Sequence, residues 1–207
     1  IAELYEHAAE AMLSRGGASS KELRRLMQAV FFEAHVDVAE RREIEDWQLD
    51  EAALSLELPK VLTDIRERAK GKAEKGHALR DACDQLLSPL LREALEQMRE
   101  RVANDKLPLF SLLETEPLKL QSSHLSFQEY FTARAICDGT RLKGKKPWEW
   151  SVWWANTITI GSEMNGFGQG LLRAAELEGA VLDLEGRIAG DRQTVLRAIG
   201  LFLDQFT

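Results

Sequence analysis

Apolar residues recur every three or four positions through most of this chain, a spacing that lays one buried stripe along an α-helix. In "IAELYEHAAEAMLSR" the stripe is Leu4, Tyr5, Ala8, Ala9, Met12 and Leu13, and Gly16-Gly17 closes it. In "SSKELRRLMQAVFFEA" it is Leu23, Leu26, Met27, Val30 and Phe31, with Ser19 three residues before Glu22 in the capping-box relation. "DEAALSLEL" predicts a shorter helix, and Pro59 opens the next one. Residues 60 to 75 mix basic and acidic side chains, which predicts an exposed helix that loosens between Gly71 and Gly76. "ALRDACDQLL" runs to Ser88-Pro89, where serine can cap and proline can take the first helical position. "PLLREALEQMRERVAND" then continues to about Asn104.

After that the period falls from 3.6 to 2. "LPLFSLLE", a Thr-Glu-Pro turn and "LKLQSS" predict two short strands of a hairpin, with Leu118, Leu120 and Ser122 alternating against Lys119, Gln121 and Ser123. Helices followed by a small hairpin are the layout of a winged-helix module. The expected fold is therefore mainly α: a winged-helix-type helical module with a small β-hairpin, followed by a second helical subdomain. The hairpin leads into "QSSHLSFQEYFTARAI", where Ser126 and Glu129 stand in the S-x-x-E relation and Leu125 and Tyr130 can form a hydrophobic staple. That predicts a helix from Phe127 to a stop at Gly139, packing Tyr130, Phe131, Ala135 and Ile136. Further on, "GTRLKGKKP" reads as a linker, and "WEWSVWWANTITIG" holds four of the five tryptophans. "NGFGQG" reads as a turn, and a last helix is expected from Asp191.

Composition narrows the function classes. The net charge is −7, from 27 Lys and Arg against 34 Asp and Glu, which argues against a general nucleic-acid binder. The one basic cluster, Arg141 to Lys146, is brief and reads as a solvated loop. Cys83 and Cys137 lie far apart without metal-type spacing, which fits a reducing, cytoplasmic setting. No apolar run in this sequence is long enough to span a membrane, and none of it reads as a signal peptide. The chain opens at Ile1 with no methionine and closes in the apolar "AIGLFLDQFT", so both ends are expected to be cut from something longer.

The chemistry-bearing residues are few. His7, His35 and His77 are scattered and read as surface or packing residues. Glu43, Glu45 and Asp46 lie beside Trp47 and read as solvated acids. Trp150, Trp153, Trp154, Thr157, Ile158 and Gly161 share one helical face, explained either by core packing or by docking of a partner. His124 comes at the end of the second hairpin strand, beside a helix N-terminus whose positive end is a natural neighbour for an anion. A neutral imidazole there can donate an N–H to a phosphate oxygen. By position alone, a hydrogen bond to a neighbouring carbonyl explains it as well.

"HLSFQEYFTA", His124 to Ala133, resembles the signature that closes the winged-helix domain of NACHT-type signal-transduction ATPases, the group that includes the NOD-like receptors. Thr132 departs from the alanine usual there. "AELYEHAAEAML" resembles the helix that ends the preceding helical domain, and the hairpin-then-signature order agrees. The resemblance covers residues 1 to about 138. It implies three segments: 1–18 as the end of a preceding helical domain, 19–138 as the winged-helix-like domain, and 139–207 as the start of a second helical domain. It implies a regulatory segment of a nucleotide-switched signalling ATPase, in which His124 contacts the phosphate of bound ADP and holds the closed state. Exchange for ATP would release the segment and permit oligomerisation. The implied partners are an upstream nucleotide-binding domain of the same protein, downstream sensor repeats and, in the active state, further copies of itself; nucleic acid and membrane are not among them.

An NTPase needs a G-x-x-x-x-G-K-[ST] loop and an acidic strand end for magnesium, and neither occurs in this sequence. "RAKGKAEKGHAL" lacks the G-K-[ST], and "GFGQGLL" has Leu171 where a G-x-G-x-x-G motif needs glycine. G-x-S-x-G and H-E-x-x-H are absent too. The expectation is no catalytic residue and no metal ligand within the chain, His124 as the one nucleotide contact, and an ADP/ATP site completed by sequence outside it. The alternative is a non-enzymatic helical interaction scaffold without nucleotide sensing.

Overall fold

The computed structural model describes residues 1–15, 21–36, 43–140 and 152–174. These form two compact units: residues 3–128, and residues 1–2 with those from 129 onward. The fold is mainly helical with one small antiparallel sheet.

In residues 3–128 the chain runs α1 (Ala2–Arg15), α2 (Lys21–Val36), β1 (Glu43–Glu45), α3 (Asp46–Glu57), α4 (Pro59–Arg68), α5 (Lys72–Leu86), α6 (Pro89–Ala103), β2 (Phe110–Thr115) and β3 (Leu118–Ser122), and enters α7 (Leu125–Cys137). The predicted stripe of α2 is wholly buried: Leu23, Leu26, Met27, Val30 and Phe31 are at most 2% exposed. Phe31 stacks on Phe110 of β2 with centroids 4.6 Å apart, so the helix and the sheet share one core. The stripe of α1 is only half right. Ala9 and Leu13 are buried, but Leu4 is 70% exposed, because a helix packed along one narrow line leaves the flanks of its apolar arc in water. The Ser19 cap and the Gly16-Gly17 stop lie outside the described residues.

The hairpin forms as its alternation predicts, with β2 against β3 and a bulge that leaves Leu113 out of register and 41% exposed. A third strand, unpredicted, completes the sheet in the order β1-β3-β2. β1 is three residues, too short to show a period, and pairs Ile44 with Leu120; both are buried. The expected mainly-α fold with a small hairpin is what forms.

Two helical details differ from expectation. α3 starts at Asp46, not with the apolar run, because Glu45 and Gln48 exchange the side-chain-to-backbone bonds of a capping box. α4 and α5 break only across Ala69–Gly71, and Gly76 sits inside α5, where a Cβ would meet only Trp47 at 3.6 Å.

α3 is also where the charges converge. Asp46 and Asp50, one turn apart, both pair with Arg99 of α6, at 2.8 and 2.6 Å, and with Arg80 of α5, at 2.5 and 3.1 Å. Burial works against the Arg99 charge, but Asp50 and Asp46 outweigh it and its pKa rises. Next to them, Glu51 pairs with Arg66 of α4 and Lys75 of α5. Removing Asp50, the 1% exposed member, strands the largely buried Arg99 at a cost of about 3–5 kcal/mol. Acid groups that read as solvated are thus largely engaged: Asp46 as above, and Glu45 by Lys72 and the Trp47 indole N–H. The Lys72 hydrogen bond is the main reason the Glu45 carboxyl lies below its ordinary pKa.

In the other unit, α7 ends in a Schellman motif. The Gly139 N–H donates to Ile136 and the Thr140 N–H to Ala135, with Gly139 at φ +87°. A 3₁₀ turn (Val152–Trp154) leads to α8 (Ala155–Ser162), and α9 (Phe167–Ala174) follows. "NGFGQG" is therefore a turn only at Asn165-Gly166; the rest is helix. Gly170 belongs to that helix because a Cβ there would lie 2.1 Å from the Ile136 carbonyl of α7. The Phe167 ring fills the space above Gly161. Tyr130, Phe131, Ala135 and Ile136 are all buried as expected.

Candidate functional site

β3 ends at Ser122, and α7 begins at Leu125. His124 is the residue immediately before the helix, and its side chain is exposed. Its own carbonyl accepts two hydrogen bonds, from the Phe127 N–H at 3.0 Å and from the Ser122 hydroxyl at 2.6 Å. The Ser123 N–H donates to Leu109, tying the same connection to the start of β2.

The helix therefore starts two residues before the predicted Phe127. Ser126 falls inside the first turn instead of capping it. The partner it would need, Glu129, is 6% exposed and accepts a hydrogen bond from the Asn156 amide. Burial raises the Glu129 pKa, and the Asn156 bond only partly opposes that. A carboxyl so engaged cannot reach back over the helix end.

The first turn of α7 is held from below. Phe127 is 6% exposed and meets the Tyr5 ring edge-on, with centroids 5.7 Å apart. Gln128 is 3% exposed, and its amide donates to Nδ1 of His35 on α2 at 3.4 Å. His35 is fully buried, and burial lowers its pKa from 6.5 to about 3, so the ring is neutral and Nδ1 can accept. The result is an exposed imidazole on a fixed backbone at the positive end of a 13-residue helix. Such a group can donate a hydrogen bond to one oxygen of an anion.

The other candidates separate from it. His7 bonds the Glu3 carbonyl of its own helix through Nδ1, and His77 is exposed on α5. Lys75 lies over the Trp47 ring at 4.4 Å, a packing contact rather than an aromatic cage. Trp154, Thr157, Ile158 and Gly161 are buried and Trp153 is half-buried, which is the core-packing reading; Trp148, Trp150, the Arg141 to Lys146 cluster and Asp191 lie outside the described residues. Cys83 and Cys137 are free thiols. Among the described residues, no cluster of His, Cys, Asp and Glu could hold a metal, and no helix is long and apolar enough to cross a membrane.

Sequence reasoning found His124 but not the pair beneath it. A glutamine amid "SF-EYF" is a visible signal, since a polar residue amid aromatics needs a buried partner. Nothing in the string says that this partner lies 93 residues earlier.

The chain matches no protein-family model, no curated protein and no solved structure.

Proposed function

We propose that this chain is the regulatory segment of a nucleotide-switched signalling ATPase of the NACHT type, acting in the cytoplasm. In this reading His124 donates to the phosphate of bound ADP and holds the closed state. Exchange for ATP removes that differential contact and releases the segment to permit assembly with further copies. One observation carries the proposal: His124 is exposed, immediately precedes α7 and stands on a backbone fixed by its own carbonyl bonds.

The residues fit one phosphate contact and no more. A single imidazole at a helix N-terminus can orient a phosphate edge, while the phosphate loop and magnesium ligands would come from an upstream domain of the same polypeptide. Sensor repeats would follow the segment. The test is His124→Ala in the full-length parent, with protein-bound ADP quantified after desalting. Retained ADP is expected to fall several-fold, whereas retention at the wild-type level would sink the proposal.

A second reading, a helical interaction scaffold without nucleotide sensing, draws on Leu86 and Leu90. Both are more than half exposed where α5 turns into α6, as anchors for a partner would be. It predicts no change in bound ADP for His124→Ala.

A further inference from the structure

The pair under the first turn of α7 is both polar and buried. α2 places a fully buried histidine, and α7 a glutamine 97% buried, within hydrogen-bond distance of each other across 93 residues of chain. Leucine at both positions would pack without this polar pair, whereas leucine at one deprives the other of this partner. A hydrogen bond instead fixes a direction, because it is lost on rotation where a packing contact slides.

Gln128 is four residues after His124, in the first turn of α7, so the backbone that carries one leads directly into the turn that carries the other. Any roll of the first turn that swings His124 must also swing the Gln128 amide off His35. Phe127 against Tyr5 sets the height of the turn, and the Ser122 hydroxyl holds the His124 carbonyl from the strand side. The amide on Nδ1 adds a rotational restraint.

We infer that Gln128 and His35 are positioning residues for His124: their buried hydrogen bond sets the roll of the first turn of α7 and thereby the direction in which the exposed imidazole points. What that imidazole is aimed at rests on the proposed phosphate contact. The restraint itself belongs to this chain and can be read without nucleotide.

The experiment is NMR on the 207-residue chain with labelled histidine, following the His124 ring signals and the exchange of the Phe127 amide that bonds to His124. Gln128→Leu and His35→Leu are each expected to shift the ring signals. Each should also speed Phe127 exchange roughly fivefold, the loss expected for one modest hydrogen bond. The double variant should fall short of the sum of the two singles, because both remove the shared bond. His35→Gln, whose side-chain carbonyl can accept from the Gln128 amide, should restore the wild-type ring signals. Val102→Ala, a cavity variant in α6, controls for general loosening and should leave the His124 ring unmoved.

Unchanged ring signals in both leucine variants, strictly additive effects, or an equal response to Val102→Ala would overturn the inference. If the ring responds as expected while His124→Ala leaves ADP retention in the parent untouched, the positioning role stands and the phosphate reading fails.

Discussion

His35 gives the residue scale a measurable signature. Burial holds its folded pKa near 3 against an unfolded value of 6.5, so the unfolded chain takes up its proton first. The sign follows from linkage: stability from the neutral ring is complete above about pH 6.5 and is lost as pH falls toward 3, with a slope of up to ~1.4 kcal/mol per pH unit. Urea midpoints at pH 7 and pH 5 should therefore show a loss approaching ~2 kcal/mol from this group alone. His35→Gln should flatten that difference, although it keeps a polar acceptor. An identical pH response in the two proteins would mean that the buried ring is not what acid attacks. His124, in contrast, is exposed and was legible as a candidate from its place between a strand and a helix; the buried ring that faces Gln128 was not, because a helix-borne histidine looks the same in sequence whether its face is covered or wet.

Among the helices, glycines report how closely elements approach. Gly76 and Gly170 both lie inside helices and look alike as letters. Gly76→Ala is expected to stabilise the chain by roughly 0.5–1 kcal/mol, since alanine restricts the unfolded chain and favours helix. The new methyl meets only the Trp47 Cβ at 3.6 Å, an ordinary contact. Gly170→Ala is expected to destabilise by ~2 kcal/mol or more, as overpacking against rigid backbone does. Its methyl would need the space of the Ile136 carbonyl at 2.1 Å, and a carbonyl within a helix cannot turn aside. Thermal melts of the two variants should move in opposite directions; a shared direction would mean that α9 does not pack on α7 as described. The hairpin, α2, α6 and the stop at Gly139 were all legible at this scale, because strong periodicity and caps are local. β1 was not, since three residues gain strand conformation only from the neighbour they pair with.

For the molecule as a whole, charge decides which partners the helical fold can serve. The net charge is −7, and the solvent face of α6 carries Glu93, Glu96 and Glu100. Lys119 of the hairpin is already paired with Glu114 at 2.7 Å. A duplex presented to this surface would meet carboxylates, so gel-shift assays at about 50 mM salt should show no retarded band. A band that appears there and disappears by about 200 mM would show counterion-dependent DNA binding and displace the nucleotide-switch reading.

Sequence alone determined the helical register of most elements, the hairpin and the prominence of His124. Each of these is set by residues within a turn or two of one another, where periodicity, capping chemistry and turn residues act. Tertiary structure decided which acids are solvated and which are held by Arg80 and Arg99, which glycines mark close contact, and where α7 truly begins. It alone brought His35 beneath Gln128. Those outcomes depend on pairings between distant segments, whose free energies come from desolvation and shared burial, and desolvation exists only once the chain has folded.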